Sequence, residues 1–358
     1  MAKGTTYQHE RIEFVDARTG VRLMQVTSFP TMSMALPYHG RNFTTDSSTF
    51  IFVSQCEARR DAPWDLFRVD VDGTNLTQLT ESEGSAGFVM APQNDCVYFH
   101  RQNALWKVDI HTFREEEIIT PHGVASMTGG AISPDGASYF AQVVTTHDTG
   151  GIMRFATDGS EAELIFEGEK GRFTMHAASP GGAGLLVWQM REGKKTWFLL
   201  GFDGREKGVY TNSYDFAHCT FLGTSERVQG CALPPERALV HVGLGEEQPT
   251  TIAQGVYFWH SASTPDGEWL VADTNWPDEG LQLVHVPTGI YRPLCDPRSS
   301  QGHPQWTHPH PQFSPDGRYV LFNSDRTGIP QIYLAQVPDD LRERVRSGQL
   351  SVQERRVW

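Results

Sequence analysis

One pattern returns seven times along this chain of 358 residues, and it constrains the fold more than any other feature. Each copy has a polar or aromatic lead-in, a Ser/Thr-Pro-Asp-Gly turn, an apolar strand, a polar hairpin and an aromatic-rich strand that ends in a second turn. The clearest copy is QFSPDGRYVLFNSDRTGIPQIYLAQV, from Gln312 to Val337. AISPDGASYFAQVV from Ala131, AASPGGAGLLVWQM from Ala177 and SASTPDGEWLVAD from Ser261 follow it, and weaker copies start at Phe43, Val89 and Thr220. The turn prolines or their equivalents are Thr45, Pro92, Pro134, Pro180, Gly223, Pro265 and Pro315, at spacings of 47, 42, 46, 43, 42 and 50 residues. A unit of this length with several short strands is the blade of a β-propeller, four antiparallel strands around a central channel.

The expected fold is therefore all-β, a seven-bladed β-propeller of four-stranded antiparallel blades over residues 1–340. The last copy stops after about three strands, at Val337, so the strand in GVRLMQVTSF (Gly20–Phe29) is expected to close the final blade and hide the ring's edges. Residues 341–358 read as a charged C-terminal tail that begins in a short surface helix. The turn chemistry together with SDRTG and QIY resembles TolB-like propellers, a likeness that speaks to fold more than to function.

Composition narrows the partners. Lys and Arg number 30 against 43 Asp and Glu, a net charge of −13, which argues against nucleic acid or an anionic membrane. The five cysteines (Cys56, Cys96, Cys219, Cys231, Cys295) form no CxxC pair, which suits a reducing compartment and no thiolate metal site. With no apolar leader or spanning run, the expected location is cytoplasmic, as a monomer or homodimer. No GxSxG elbow, P-loop or dinucleotide fingerprint occurs.

Histidine is the exception. Of 14, seven fall between His218 and His310. Inner strands line a propeller's channel, so equal register in successive blades converges on the axis. Five residues before each anchor stand Gly40, Gly87, Gly129, Met175, His218, His260 and His310. His308, two residues before His310, is expected on the same strand and therefore on the same face, and His176 lies one position off register. Imidazoles from neighbouring blades can enclose a divalent ion, and Gln305 adds an oxygen. His260, Gln305, His308 and His310 form the expected metal set, suited to manganese first and to nickel, iron, cobalt or zinc as well.

Hairpin tips between second and third strands share the face on which the inner strands begin. That brings Arg191, Lys194 and Lys195 of MREGKKTW beside His218, and Arg59 and Arg60 of CEARRDAPW to the first blade's rim. Cations gathered there in an acidic protein suggest an anion site.

These residues resemble the oligogalacturonate lyases, cytoplasmic seven-bladed propellers that act on short pectin fragments. Gln305-Trp-Thr-His308-Pro-His310-Pro-Gln-Phe-Ser-Pro-Asp is similar to that family's metal segment, and His260 in WHSASTPDGEWLVAD to its third metal histidine. His218 in FAHCTFLGTSE stands at its Brønsted base. Two positions depart: Lys195 replaces an arginine before the tryptophan of the fourth hairpin, and Cys-Thr-Phe follows the base where the family has Glu-Phe-Trp. The resemblance implies a metal-dependent β-eliminating lyase on an acidic oligosaccharide. His218 would act as base with Lys195, or Arg191 nearby, as electrostatic helper, and Arg191, His176, Arg41 and Arg59 would hold substrate. A metal-assisted isomerase or epimerase of sugar acids, or a non-enzymatic binding propeller, are the alternatives.

Overall fold

The computed structural model describes residues 2–8, 10–59, 61–81, 84–211, 216–302 and 305–348. Seven antiparallel sheets stand radially around one axis, and six have four strands in chain order. Their innermost strands are Ser33–Ala35, Ala86–Met90, Val124–Ile132, Phe173–Ala178, Phe216–Phe221 and Phe258–Ser263 for blades 1 to 6, and Gln312–Phe313 for blade 7.

The ring closes with one strand more than expected. Blade 7 is Gln312–Phe313, Tyr319–Ser324 and Gln331–Gln336, continued by Arg22–Gln25 and then by Ile12–Val15 at the edge. Leu23 pairs with Ala335 and Gln25 with Tyr333. The extra strand exists because Asp16-Ala-Arg-Thr-Gly20 makes a tight turn, with Asp16 Oδ1 accepting the amides of Arg18 and Thr19 at 3.0 and 2.8 Å.

The repeated turn has a local cause. In blade 3 the Gly136 amide donates to Ser133 O at 2.9 Å, Asp135 Oδ1 takes the Ala137 amide at 3.0 Å, and Gly136 sits at φ +74°, where glycine carries no steric penalty. Apolar faces of adjacent blades meet in separate cores, as in Trp269, Val271 and Leu283 of blade 6 against Val320, Phe322 and Tyr333 of blade 7. Burial of such aromatic and branched side chains, at ~25 cal/mol per Å², holds each blade to the next.

Two features shape the axis. In blades 2 to 6 the inner strand slips register at the same height, between Ala86 and Val89, Thr128 and Ala131, Met175 and Ala177, Ala217 and Thr220, and Phe258 and Ser261. Such bulges re-aim side chains. In blade 1 the segment Leu36–Asn42 leaves the sheet between the pairs Ala35–Phe52 and Phe43–Phe50 and enters the channel. Asn42 ties this excursion by accepting the Leu36 amide at 2.8 Å and donating to Gln312 of blade 7.

The stretch expected to form a tail from 341 is, up to Gly348, part of a docked helix, Asp339–Ser347. Leu341 and Val345 are buried one turn apart, and Arg342 and Arg346 cover the Trp269 ring of blade 6. Residues 349–358 lie outside the described residues. No helix among the described residues is long and apolar enough to cross a membrane, and all five cysteines are free thiols.

Candidate active site

His260, His308 and His310 converge, each offering one ring nitrogen within 4.8 Å of the others. His260 Nε2 lies 3.2 Å from His310 Nε2. His310 reaches this place at φ +46°, a left-handed conformation uncommon for a residue with a Cβ. The alternation expected for His308 and His310 on one strand is therefore corrected: the inner strand of blade 7 begins only at Gln312, and the prolines and the turned backbone at His310 converge the two rings, 5.7 Å apart. His308 bonds through Nε2 to Gly302 O at 3.1 Å, which leaves its buried Nδ1 without a hydrogen-bond partner. Burial pushes His260 and His310 well below the usual imidazole range, with neighbouring imidazole charge adding to the effect. Neutral rings with inward lone pairs and one orphaned buried nitrogen are a donor set that fits a divalent cation.

His218 stands beside the cluster, in the blade 5 bulge at φ +56°. Its ring is 4.3 Å from His260 and 4.7 Å from Trp259, and it has no hydrogen-bond partner among the described residues. Burial, reinforced by the neighbouring His260 charge, drives its pKa down to about 3, so the ring is neutral with a free lone pair. Lys195 of blade 4 lies with Nζ 4.9 Å from the ring centres of both Trp188 and Trp197. No carboxylate among the described residues pairs with it, and its charge helps depress both His176 and His218.

The sequence model of the oligogalacturonate lyases matches residues 1–131 and 296–341. The oligogalacturonide lyase of Pectobacterium atrosepticum and the oligogalacturonate lyase of Dickeya dadantii are each 24% identical over 401 aligned positions, covering 95% of this chain and all of theirs. The chain belongs to the oligogalacturonate lyase family. It is thus an enzyme, a polysaccharide lyase. A solved oligogalacturonate lyase in complex with manganese superimposes with a TM-score of 0.81 at 20% identity over 96% of this chain and 100% of that one. The Vibrio parahaemolyticus oligogalacturonate lyase gives 0.81 at 19% over 95% and 100%, so the whole propeller architecture is shared.

Not every residue expected at this lyase's site reaches it. Arg191 turns to the outer strand of blade 4, where it pairs with Glu206 at 2.6 Å and lies over Phe198. Arg59 pairs with Glu57 and Asp61 on the surface at 2.6 and 3.1 Å. Arg41 donates to the Ala91 and Pro92 carbonyls, at the far end of the blade 2 inner strand. Each carries a competing partner that position in the sequence does not reveal. Arg60 lies outside the described residues. Gln305 sits in the short 3-10 turn Gln305–Thr307, its carbonyl accepting the His308 amide at 3.0 Å and its side chain exposed. His176 is the extra residue of the blade 4 bulge, 4.8 Å from the Trp197 ring, with Nδ1 buried and unpartnered.

Three contributors to the lyase's axis escape the repeat register. Tyr38 and His39 ride on the blade 1 excursion: the Tyr38 ring stacks 5.8 Å from His310, and His39 faces His176 at 5.5 Å. Behind them the rest of the channel is a cavity of about 510 Å³ that runs to the ring of turn prolines. Asp273, on the second strand of blade 6, is buried beneath His260, and burial pushes its carboxyl up to about 6 against the pull of His310 and of the amides it accepts.

Proposed function

We propose that this lyase cleaves short 4-linked uronate oligosaccharides of the oligogalacturonide type by β-elimination, in the cytoplasm, with a divalent cation held by His260, His308 and His310. One observation carries the reading: a neutral His218 with no hydrogen-bond partner and a Lys195 with no carboxylate partner among the described residues stand beside a three-imidazole ligand set. Manganese, present in the structurally similar lyase, is the first ion to test.

The C5 proton of a uronate is α to a carboxylate and is hardly acidic while that carboxylate keeps its full charge. A cation held by His260, His308 and His310 would supply positive charge to offset that of the carboxylate and so make the C5 proton more acidic. Lys195 faces the same group from blade 4 with a second positive charge, held in place by two indole faces. His218 removes the C5 proton onto its free ring nitrogen, the electron pair forms the C4–C5 double bond, and the O4 glycosidic oxygen departs to leave a 4,5-unsaturated uronate. Burial keeps His218 unprotonated near neutrality, as a general base must be, at some loss of basicity, since the most effective base has a pKa near the operating pH. His176, beside Lys195, completes the wall against which the sugar carboxylate sits.

The test is incubation of the manganese-loaded protein with galacturonate dimers and trimers while following the ultraviolet absorbance of the conjugated product. Product in the wild type and none in His218→Ala, with metal retained, is the expected outcome. An active His218→Ala enzyme overturns the base assignment, and isomerised sugar without new absorbance overturns the elimination.

A further inference from the structure

Asp273 hydrogen-bonds two of the three histidines. Its Oδ1 accepts the His260 amide at 2.6 Å, and Oδ2 accepts His260 Nδ1–H at 3.0 Å and the His310 amide at 3.3 Å. Both it and His260 are only 1% exposed. Holding the proton on His260 Nδ1 leaves Nε2 as a lone pair, aimed at His310 Nε2. Holding both backbone amides fixes the blade 6 bulge and the left-handed turn at His310, which deliver these rings to the axis.

Comparison among the blades separates this role from a structural one. Aligned on the turns, the position of Asp273 is His100 in blade 2, Gln142 in blade 3 and Asn323 in blade 7. Each bonds the inner strand of the next blade: His100 Nε2 to Gly129 O at 3.2 Å, the Met175 amide to Gln142 Oε1 at 3.3 Å, and the Ala35 amide to Asn323 Oδ1 at 2.8 Å. Asp273 does the same with the His310 amide, whereas blades 1, 4 and 5 carry Val53, Trp188 and Cys231 at this position, so the bridge is used in four blades and is not a requirement of the fold. A neutral imidazole serves in blade 2 and neutral amides in blades 3 and 7. Only in blade 6 is the group a carboxylate, and only there does it also bond a ring of the metal-ligand set. A buried carboxylate is costly unless a cation compensates it.

We infer that Asp273 is a positioning residue that orients His260 and His310 and supplies the negative charge behind them that strengthens cation binding. The inference rests on the metal reading above. Outer partners of histidine ligands typically command ~10–100-fold in metal affinity.

The experiment measures manganese affinity of the full chain by chelator competition for the wild type, Asp273→Asn and Gln142→Ala, with thermal unfolding beside it. Asparagine keeps an acceptor of the kind blades 3 and 7 use, so Asp273→Asn is expected to fold and to bind ~10–100-fold more weakly. Gln142→Ala loosens an equivalent inter-blade bond away from the histidines and is expected to lower the melting temperature with affinity unchanged. Nitrogen-15 NMR of the ion-free protein should show His260 as the Nδ1–H tautomer in the wild type and not in Asp273→Asn. Equal affinity in wild type and Asp273→Asn overturns the inference while leaving the metal reading intact, as does an equal loss in Gln142→Ala. A wild type that takes up no divalent cation overturns both.

Discussion

The Nε2 atoms of His260 and His310 face each other at 3.2 Å, in contact range, with the Nδ1–H of His260 committed to Asp273. Two neutral imidazoles cannot both present lone pairs to one another at that distance. Either one nitrogen carries the shared proton or a cation lies against both. Removing either ring takes away a ligand and should weaken binding by more than the ~10–100-fold attributed to outer partners. After equilibration with manganese and dialysis, elemental mass spectrometry is expected to find near-stoichiometric metal in the wild type and almost none in His260→Ala or His310→Ala. Full retention in His310→Ala refutes the cluster as the binding site.

Lys195 and Arg191 stand on the same hairpin with opposite fates: Lys195 is unpaired among the described residues, while Arg191 is clamped to Glu206. Loss of one preorganised charge at a developing anion typically costs ~10²–10³ in rate. Lys195→Met is expected to lower kcat/KM by that amount, Lys195→Arg to recover part of it, and Arg191→Ala to stay within a few-fold of wild type. Steady-state kinetics on a uronate dimer decides, and an Arg191→Ala loss as large as that of Lys195→Met would reverse the assignment.

Blade number and the histidine register were legible because both rest on local chemistry. A Pro-Asp-Gly turn punctuates each repeat, so counting back from it places His218, His260 and His310 at one height. What stayed hidden depends on partners distant in sequence. Tyr38 and His39 enter the channel on an excursion that has no counterpart in the other repeats and is tied by Asn42 to Gln312. Asp273 resembles any strand residue until it is seen opposite the blade 6 bulge. Arg191, Arg59 and Arg41 resemble free cations until Glu206, Glu57 and the blade 2 carbonyls claim them.

The axis is lopsided, and the empty side bears on substrate binding. At the height of the histidines, blades 2 and 3 carry Gly87 and Gly129, both left-handed at φ +67° and +64°. A Cβ on Gly129 would meet nothing within 4 Å and would project into open space. Gly87 is not part of that space, because a Cβ there would press on the Gly129 carbonyl and on the His100 and Tyr139 side chains at 2.6 Å; the room for a sugar ring is beside Gly129. Asparagine tolerates the left-handed region better than other non-glycine residues, so Gly129→Asn should fold. The expected result is manganese affinity unchanged and kcat/KM on a uronate dimer reduced at least ~10-fold, the scale of ~1.4 kcal/mol of lost complementarity. Unchanged kinetics would mean that the substrate occupies another part of the mouth.

Acid should destabilise this fold through histidines that it buries neutral, and His100 offers a clean case away from the metal ligands. It is 5% exposed, and burial lowers its pKa from 6.5 to about 4, a pull only partly offset by its bond to Gly129 O. The unfolded chain therefore binds the proton first as pH falls. Above about 6.5 neither state is protonated and the stability is complete; between about 6.5 and 4 only the unfolded state takes the proton and stability is lost; below about 4 both states carry it and the loss levels off. One proton of difference corresponds to about 1.4 kcal/mol per pH unit. His100→Gln keeps a side-chain donor for Gly129 O and removes the titration. Urea unfolding across this window, with chelator present, is expected to show a slope shallower by about that amount in the variant, and parallel curves would show that His100 is protonated equally in both states.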